Sequence, residues 1–166
     1  MAYLSFVLNE ECRAQLMATT PPRFKHIKCE HVTVALDWLP YFVYAAAAVE
    51  MNRMQINGQV ALFANPVQTK FDHQAEVMLV TMVYAPSEDF QKGYLWYQRT
   101  ISPDRVYHIT HSLNDGCAPK LGKEVARLWP QVMDIPSTHR SNITSIREFA
   151  KANGWVELSG KFISAT

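Results

Sequence analysis

Two short segments of the chain share one pattern, a histidine followed two residues later by a threonine. They are His31-Val32-Thr33 and His108-Ile109-Thr110, and each lies in an apolar stretch typical of a β-strand. Alternate side chains of a strand share a face, so each histidine points the same way as its threonine. Two such pairs across a cleft would supply a general base, a general acid and two hydroxyl donors. That set suits cleavage of a phosphodiester without a metal.

The two motifs also end two similar larger units. Both extend to His-x-Thr-x-x-Leu. In the first unit, a predicted strand over 3–8 is followed by a helix starting at 9–11 and, after Pro21-Pro22, by a motif strand over 27–36. In the second unit, a strand over 76–83 is followed by a partly helical or irregular stretch over 87–96 and a motif strand over 105–113. This internal self-similarity is better evidence than either triplet alone.

The remaining elements indicate a mixed fold. Helices are predicted over 39–54, 122–133 and 145–153, with Gly154 ending the last one. Strands are predicted over 58–64 and 155–163. These elements favour an α+β or α/β class, and a length of 166 residues fits one compact domain.

Composition limits the function further. The chain is 48% hydrophobic and 19% charged, which predicts a full core rather than disorder. A formal net charge of +1 argues against tight binding of long nucleic acid but allows a small anionic ligand in a local pocket. Three cysteines form no disulfide framework, and no leader or membrane-spanning run is evident. We therefore expect a soluble protein of a reducing cytoplasm, with no membrane partner.

The paired motifs resemble the two-histidine (2H) phosphoesterase superfamily, over most of the chain from Tyr3 to roughly Leu121. That superfamily includes cyclic phosphodiesterases, RNA ligase-associated repair domains and 2′,5′-oligoadenylate-cleaving enzymes. The segments 29–36 and 106–113, the latter followed by Gly116 and Pro119, are most similar to two groups. These are tRNA-ligase-like repair domains and small phage enzymes that destroy cyclic-oligonucleotide signals, the anti-CBASS phosphodiesterases.

The resemblance implies an α+β fold with two pseudo-symmetric lobes of mainly antiparallel sheet around a central cleft. The lobes would be roughly 1–65 and 66–166 of one domain, with strand exchange between them allowed. The implied activity is hydrolysis of cyclic di- or oligonucleotides such as 3′,3′-cGAMP, which would counter CBASS-type signalling in the host cytoplasm if a phage encodes the chain. No cofactor is expected. The implied catalytic residues are His31, Thr33, His108 and Thr110.

The roles of these residues follow from their chemistry. One neutral histidine would take a proton from water or a ribose 2′-hydroxyl, and the other, protonated, would give a proton to the leaving oxygen. The threonines would hydrogen-bond the non-bridging phosphate oxygens. Sequence alone leaves base and acid unassigned. For substrate binding, Tyr3, Tyr107 and Trp155 are candidates to stack a nucleobase, and Lys120 is a candidate to meet a phosphate.

One residue departs from the superfamily pattern. An apolar residue usually follows the motif threonine; Val34 fits and His111 does not. Because His111 alternates with His108 along the strand, we expect it to be a buried polar residue rather than a third catalytic group.

Other functions remain open. A zinc site is one, because Cys29 and His31 would share a strand face, with Cys117 or His108 completing it. However, neither Cys-x-x-Cys nor His-Glu-x-x-His spacing occurs, and no Gly-x-Ser-x-Gly elbow marks a serine hydrolase. Action on 2′,3′-cyclic phosphate ends of RNA, as in repair domains, is a second possibility. A non-catalytic module that sequesters nucleotides is a third.

Overall fold

The structure is a computed structural model, and it describes residues 2–36, 40–67, 69–84, 106–128, 133, 135 and 143–166. The described elements, in chain order, are β1 (Tyr3–Leu8), α1 (Glu10–Thr19), β2 (His26–Ile27), β3 (His31–Leu36), α2 (Tyr41–Ile56), β4 (Val60–Ala64), β5 (Lys70–Phe71), β6 (Ala75–Tyr84), β7 (His108–Leu113), α3 (Leu121–Leu128), α4 (Ile143–Ala152), β8 (Val156–Glu157) and β9 (Gly160–Ala165). None of the described helices combines the length and the apolarity that crossing a membrane requires.

The strands form one antiparallel sheet. Its order is β8-β4-β6-β7-β3-β1-β9, with β2 also paired to β7 and β5 to β6. All of the strand pairs among the described residues run antiparallel. The fold is therefore mixed α+β, and the sheet curls into a half-barrel. This confirms the predicted α+β class at the level of architecture.

The two ends of the sheet meet at the C-terminal strands. β8 and β9 lie at opposite ends of the strand order, yet only Leu158 and Ser159 separate them in the chain. A connection of two residues spans about 10 Å, so the two edges of the sheet lie close together here. The N–H of Leu158 donates to the carbonyl oxygen of Leu62 in β4, and the carbonyl oxygen of Ser159 accepts from the N–H of Asn9 just after β1. The single strand predicted over 155–163 is therefore wrong, because the chain crosses there from one sheet edge to the other.

The sheet order is mirrored about its two central strands, β3 and β7. β1 and then β9 follow on the β3 side, while β6 and then β4 follow on the β7 side. The outer strand β4 precedes residue 65, and the outer strand β9 lies far beyond it. Each half of the chain therefore contributes a strand to the other side of the sheet, and the two motif strands are direct neighbours.

A large buried core fixes α2 on one face of the sheet. Tyr44 and Met51 of α2 belong to one buried cluster with Phe6 of β1 and Phe162 of β9. The rings of Phe6 and Phe162 meet edge to face, with centroids 5.0 Å apart. The side chain of Asn52 donates to the carbonyl oxygen of Phe162 at 2.9 Å and accepts from its N–H at 2.8 Å. Apolar packing and these two hydrogen bonds together hold α2 against β9.

The other face of the sheet carries α3 and the motif side chains of β7. Val125 of α3 packs in a buried cluster with Val77 and Leu79 of β6. In the β6–β7 pair, Val77 lies opposite Thr110 and Leu79 lies opposite His108. Paired residues of an antiparallel sheet point to the same face. The packing of α3 therefore places its first turn beside the second motif.

Local signals in the sequence account for several element boundaries. α1 begins after Asn9, whose side-chain oxygen accepts from the N–H of Cys12 at 2.8 Å. α4 ends shortly before Gly154, whose φ of +81° lies in the left-handed region that glycine tolerates. The predicted stretch over 87–96, and residues 129–132 of the helix predicted over 122–133, lie outside the described residues.

Candidate active site

The site is centred on one pair of residues, Val32 of β3 and Ile109 of β7, which lie opposite each other. Both are fully buried. Each is the middle residue of its motif, so the histidine and threonine of both motifs point to the other face of the sheet. In an antiparallel ladder through this pair, each motif histidine falls beside the threonine of the other motif.

The four motif side chains line one cavity of about 370 Å³. Its described lining consists of Lys28, Glu30, His31, Thr33, Leu36, His108, Thr110, Pro119, Lys120 and Lys123. The volume lies within the range of about 300–1,000 Å³ that is usual for small-molecule sites. The structure therefore brings together the four residues for which a catalytic role is predicted.

A bulge between β2 and β3 sets the register that joins the motifs. The register of β2 on β7, continued unchanged, would place Glu30 opposite Ile109, whereas Val32 lies there. The bulge takes up the two extra residues, and Cys29 within it has a φ of +52°. It displaces His31 by two positions, about 7 Å, along β7. The strand predicted to run without a break over 27–36 is therefore interrupted between β2 and β3, at the bulge that contains Cys29.

Arg13 of α1 holds this bulge. Its Nε and Nη2 atoms donate to the carbonyl oxygen of Lys28 at 3.2 and 3.0 Å. Two N–H groups that donate to one carbonyl oxygen restrict both the direction and the distance of that oxygen from the guanidinium. α1 thus contributes to the placement of the first motif, although it supplies no side chain to the described lining of the cavity.

The prediction that Cys29 and His31 share a strand face is wrong, because the bulge turns Cys29 away. Cys29 is fully buried in the main core, whereas His31 lines the cavity. Burial raises the pKa of the Cys29 thiol to about 11, against a smaller opposing effect of the Arg13 guanidinium. A thiol that stays protonated is a poor metal ligand. In the part of the chain that the structure describes, no three His, Cys, Asp or Glu side chains are grouped to hold a metal ion.

The surroundings of His31 favour its neutral form. Although the residue is exposed at the cavity opening, the groups packed around the ring desolvate it and lower its pKa below the ordinary value of 6.5. The carboxylate of Glu30 acts in the opposite direction and is the smaller effect. A neutral imidazole at pH 7 can accept a proton.

His108 is oriented by the backbone just before its strand. Its Nδ1 lies 3.1 Å from the carbonyl oxygen of Val106. A carbonyl oxygen only accepts, so Nδ1 carries the hydrogen and donates it. In that tautomer Nε2 is the ring nitrogen that gains or loses a proton.

The cavity concentrates positive charge. Lys28, Lys120 and Lys123 line it, and Glu30 is the one carboxylate in the described lining, so three positive charges less one negative charge give +2 with both histidines neutral. The whole chain carries only +1. A small local excess of this kind favours a phosphate group without creating a broad surface for long nucleic acid.

Of the predicted substrate-binding residues, Lys120 lines the cavity and the three aromatic residues do not. Tyr107 packs against the main core, on the face opposite His108. Trp155 packs against a separate cluster formed with α4. Tyr3 lies half-buried on β1, directly opposite Leu36 of β3, which does line the cavity. That one of these rings stacks on a nucleobase stays a prediction.

His111 lies away from the cavity, as its alternation with His108 predicts. It is fully buried, and its Nε2 donates to the carbonyl oxygen of Thr20 at 2.7 Å. Its role in the described structure is to tie the end of α1 to β7.

Sequence reasoning missed three charged residues at the cavity, Lys28, Glu30 and Lys123. Lys123 was findable, since it lies in the first turn of the helix predicted over 122–133, three residues after the candidate Lys120. Lys28 and Glu30 reach the cavity only because of the bulge, for which the sequence carries no recognisable signal.

Comparison with known proteins does not identify the chain. No family model matches it, and neither does any curated protein or solved structure. Function is therefore inferred from the geometry of the site and from the motif resemblance.

Proposed function

We propose that this protein is a metal-independent phosphodiesterase of the 2H phosphoesterase type, acting on a small nucleotide. The observation that carries the proposal is the Val32–Ile109 pair, which directs both His-x-Thr motifs to one cavity. The mirrored sheet order about β3 and β7 supports two pseudo-symmetric lobes around that cavity. The local charge of the lining supports an anionic substrate.

The surroundings of the two histidines support different roles for them. His31, with its lowered pKa, takes the proton of the attacking hydroxyl, which belongs to water or to a neighbouring ribose 2′-OH. The hydroxyl oxygen bonds to phosphorus, the bond from phosphorus to the leaving oxygen breaks, and His108 gives a proton from Nε2 to that oxygen. If the 2′-OH attacks, a 2′,3′-cyclic phosphate forms, and water opens it with the two histidines exchanging roles.

The remaining polar groups act on the phosphate oxygens. Thr33 and Thr110 hydrogen-bond the non-bridging oxygens, where negative charge grows in the transition state. The lysines of the lining attract the phosphate and offset its charge.

The substrate class we propose is a cyclic di- or oligonucleotide signal, such as 3′,3′-cGAMP, whose hydrolysis counters a CBASS-type antiviral response in the cytoplasm of the infected cell. The motif resemblance favours this class. A cavity of about 370 Å³ and a net chain charge of only +1 support a small substrate over a long RNA.

The test compares two substrates in the presence of EDTA. Purified protein is incubated separately with 3′,3′-cGAMP and with an RNA oligomer that ends in a 2′,3′-cyclic phosphate, and the products are separated by chromatography. The variants are His31→Ala and His108→Ala. His73→Ala is the matched control, because His73 is exposed and lies outside the cavity lining.

We expect loss of the cyclic dinucleotide, with turnover lowered by about 10²–10⁴-fold in each site variant and unchanged in the control. Loss of the RNA terminus alone would assign the protein to RNA end processing. Tight binding without turnover of either substrate would indicate a sequestering module and overturn the proposal.

A further inference from the structure

Gly122, in the first turn of α3, lies directly against the hydroxyl of Thr110. A Cβ atom built on Gly122 would stand 2.3 Å from Thr110 Oγ1 and 3.3 Å from both Thr110 Cβ and Val77 Cγ1. Real Cβ atoms essentially never approach another heavy atom within 3.0 Å. Because residue 122 has no side chain, the Thr110 hydroxyl has room for its present orientation.

The backbone of Gly122 does not require glycine for its own conformation. Positive φ values among the described glycines occur at residues 58, 116 and 154 and not at 122. Within a helix, alanine is more favourable than glycine. Helix propensity therefore favours alanine at residue 122, and the contact with Thr110 opposes it.

The helix cannot easily move away to admit a side chain. Its N-terminal turn is fixed by hydrogen bonds from the N–H groups of Leu121 and Gly122 to the carbonyl oxygens of Ala118 and Pro119. One turn further on, Val125 packs in the buried cluster on β6. Relief must therefore come from Thr110, whose χ1 would have to rotate and turn the hydroxyl in another direction.

We propose that Gly122 is a positioning residue, whose missing side chain leaves room for the Thr110 hydroxyl in the orientation in which it meets the phosphate. This inference rests on the proposed function, because it assigns the hydroxyl a partner in the transition state. It predicts that the glycine acts through Thr110 and has no effect once that hydroxyl is removed.

The test is a double-mutant cycle of Gly122→Ala, Thr110→Ala and the combined variant, measured as kcat and KM. We expect Gly122→Ala to lower kcat by about 10²-fold, the effect of losing one aligned donor, with KM changed much less. The combined variant should be no slower than Thr110→Ala alone. Glu124→Ala, at an exposed position of the same helix, controls for general effects on α3 and should leave kcat unchanged.

A second readout does not depend on turnover. The γ-methyl group of Thr110, labelled with ¹³C, reports the χ1 rotamer by NMR. We expect a clear shift of this resonance in Gly122→Ala and none in Glu124→Ala. If Gly122→Ala does not fold, the combined variant, from which the clashing oxygen is absent, should regain a folded spectrum.

The outcomes separate the two proposals. A wild-type protein that turns over no nucleotide, but whose Thr110 methyl shifts in Gly122→Ala, would contradict the proposed function and leave the steric coupling intact. An active wild type whose Gly122→Ala variant keeps full kcat and an unshifted methyl resonance would overturn the positioning role. Equal losses from Gly122→Ala with and without the Thr110 hydroxyl would overturn it as well.

Discussion

At the scale of single residues, two identical motifs become chemically different through their neighbours. His31 is desolvated at the cavity opening, beside the carboxylate of Glu30. His108 is held by a hydrogen bond from Nδ1 to the carbonyl oxygen of Val106. We propose on this basis that His31 accepts a proton and that His108 donates one. The triplets alone could not reveal this difference, because both consist of a histidine, a β-branched residue and a threonine.

The pH dependence of turnover tests the assignment of His31 as the base. Its pKa lies below 6.5, so the acidic limb of kcat/KM should have its midpoint below pH 6.5. Because Glu30 raises that pKa, Glu30→Gln should move the limb to still lower pH. Matched pH–rate profiles of the two proteins, with an NMR titration of the His31 ring, provide the measurement. A limb that moves to higher pH in Glu30→Gln would contradict the assignment.

The same shift predicts how stability depends on pH. The folded protein binds a proton at His31 less readily than the unfolded chain does. The contribution of this group to stability is therefore present above pH 6.5 and is lost as the pH falls toward the folded pKa. The free energy of unfolding of His31→Gln should therefore depend less on pH below pH 6.5 than that of the wild type.

At the scale of elements, the site depends on an irregularity in an otherwise regular strand. The bulge that contains Cys29 changes the pairing of this segment with β7 by two residues. Arg13 clamps the bulge from α1. Regular pairing would place Glu30 where Val32 now lies, and each motif histidine would no longer fall beside the other motif's threonine.

We expect Cys29→Val to lower the free energy of unfolding by about 2 kcal/mol, because a β-branched residue is strained at a φ of +52°. Turnover should fall as well, since the bulge sets the register of the site. Cys12→Val is the control, because Cys12 is also buried but lies in the regular helix α1. Urea denaturation and turnover of both variants are the measurements. Equal losses of stability and activity in the two variants would mean that the bulge has no special role.

Elements were predictable from the sequence where their signals are local. The alternation of His31 with Val32, and of His108 with Ile109, correctly indicates which side chains share a face. The bulge and the split of the last predicted strand were not predictable, because both depend on strands that are distant in sequence. For the same reason, the sequence could not show that Tyr107 packs against the main core and Trp155 against a separate one.

At the scale of the whole molecule, the curled sheet and α2 form the support for the site. The main core includes Val32 and Ile109 beneath the motifs, together with Phe6 and Phe162 of the β1–β9 pair. The chain turns into β9 at Gly160, where a Cβ atom would stand 2.0 Å from the carbonyl oxygen of Val7. This close contact between backbones lets the last strand reach β1.

We expect Gly160→Ala to destabilise the protein by about 2–3 kcal/mol, because the atom in its way belongs to the backbone and cannot rotate aside. Ser159→Ala, at the exposed neighbouring position, should change stability by no more than about 0.5 kcal/mol. Thermal and urea unfolding curves of the two variants provide the comparison. A Gly160→Ala protein as stable as Ser159→Ala would show that β9 pairs with β1 less closely than described.

The pairing of β1 also has a consequence for how the chain folds. Tyr3 lies opposite Ala165, and Val32 lies opposite Ile109, so the strands that carry and flank the site meet partners from distant parts of the chain. Bringing such segments together requires closing long loops, with a loss of chain entropy that precedes any gain from the contacts. Folds with this high contact order acquire their structure in milliseconds to seconds rather than microseconds. Both motifs are needed to line the cavity. Ligand binding should therefore return during refolding only when the central strands β3 and β7 pair.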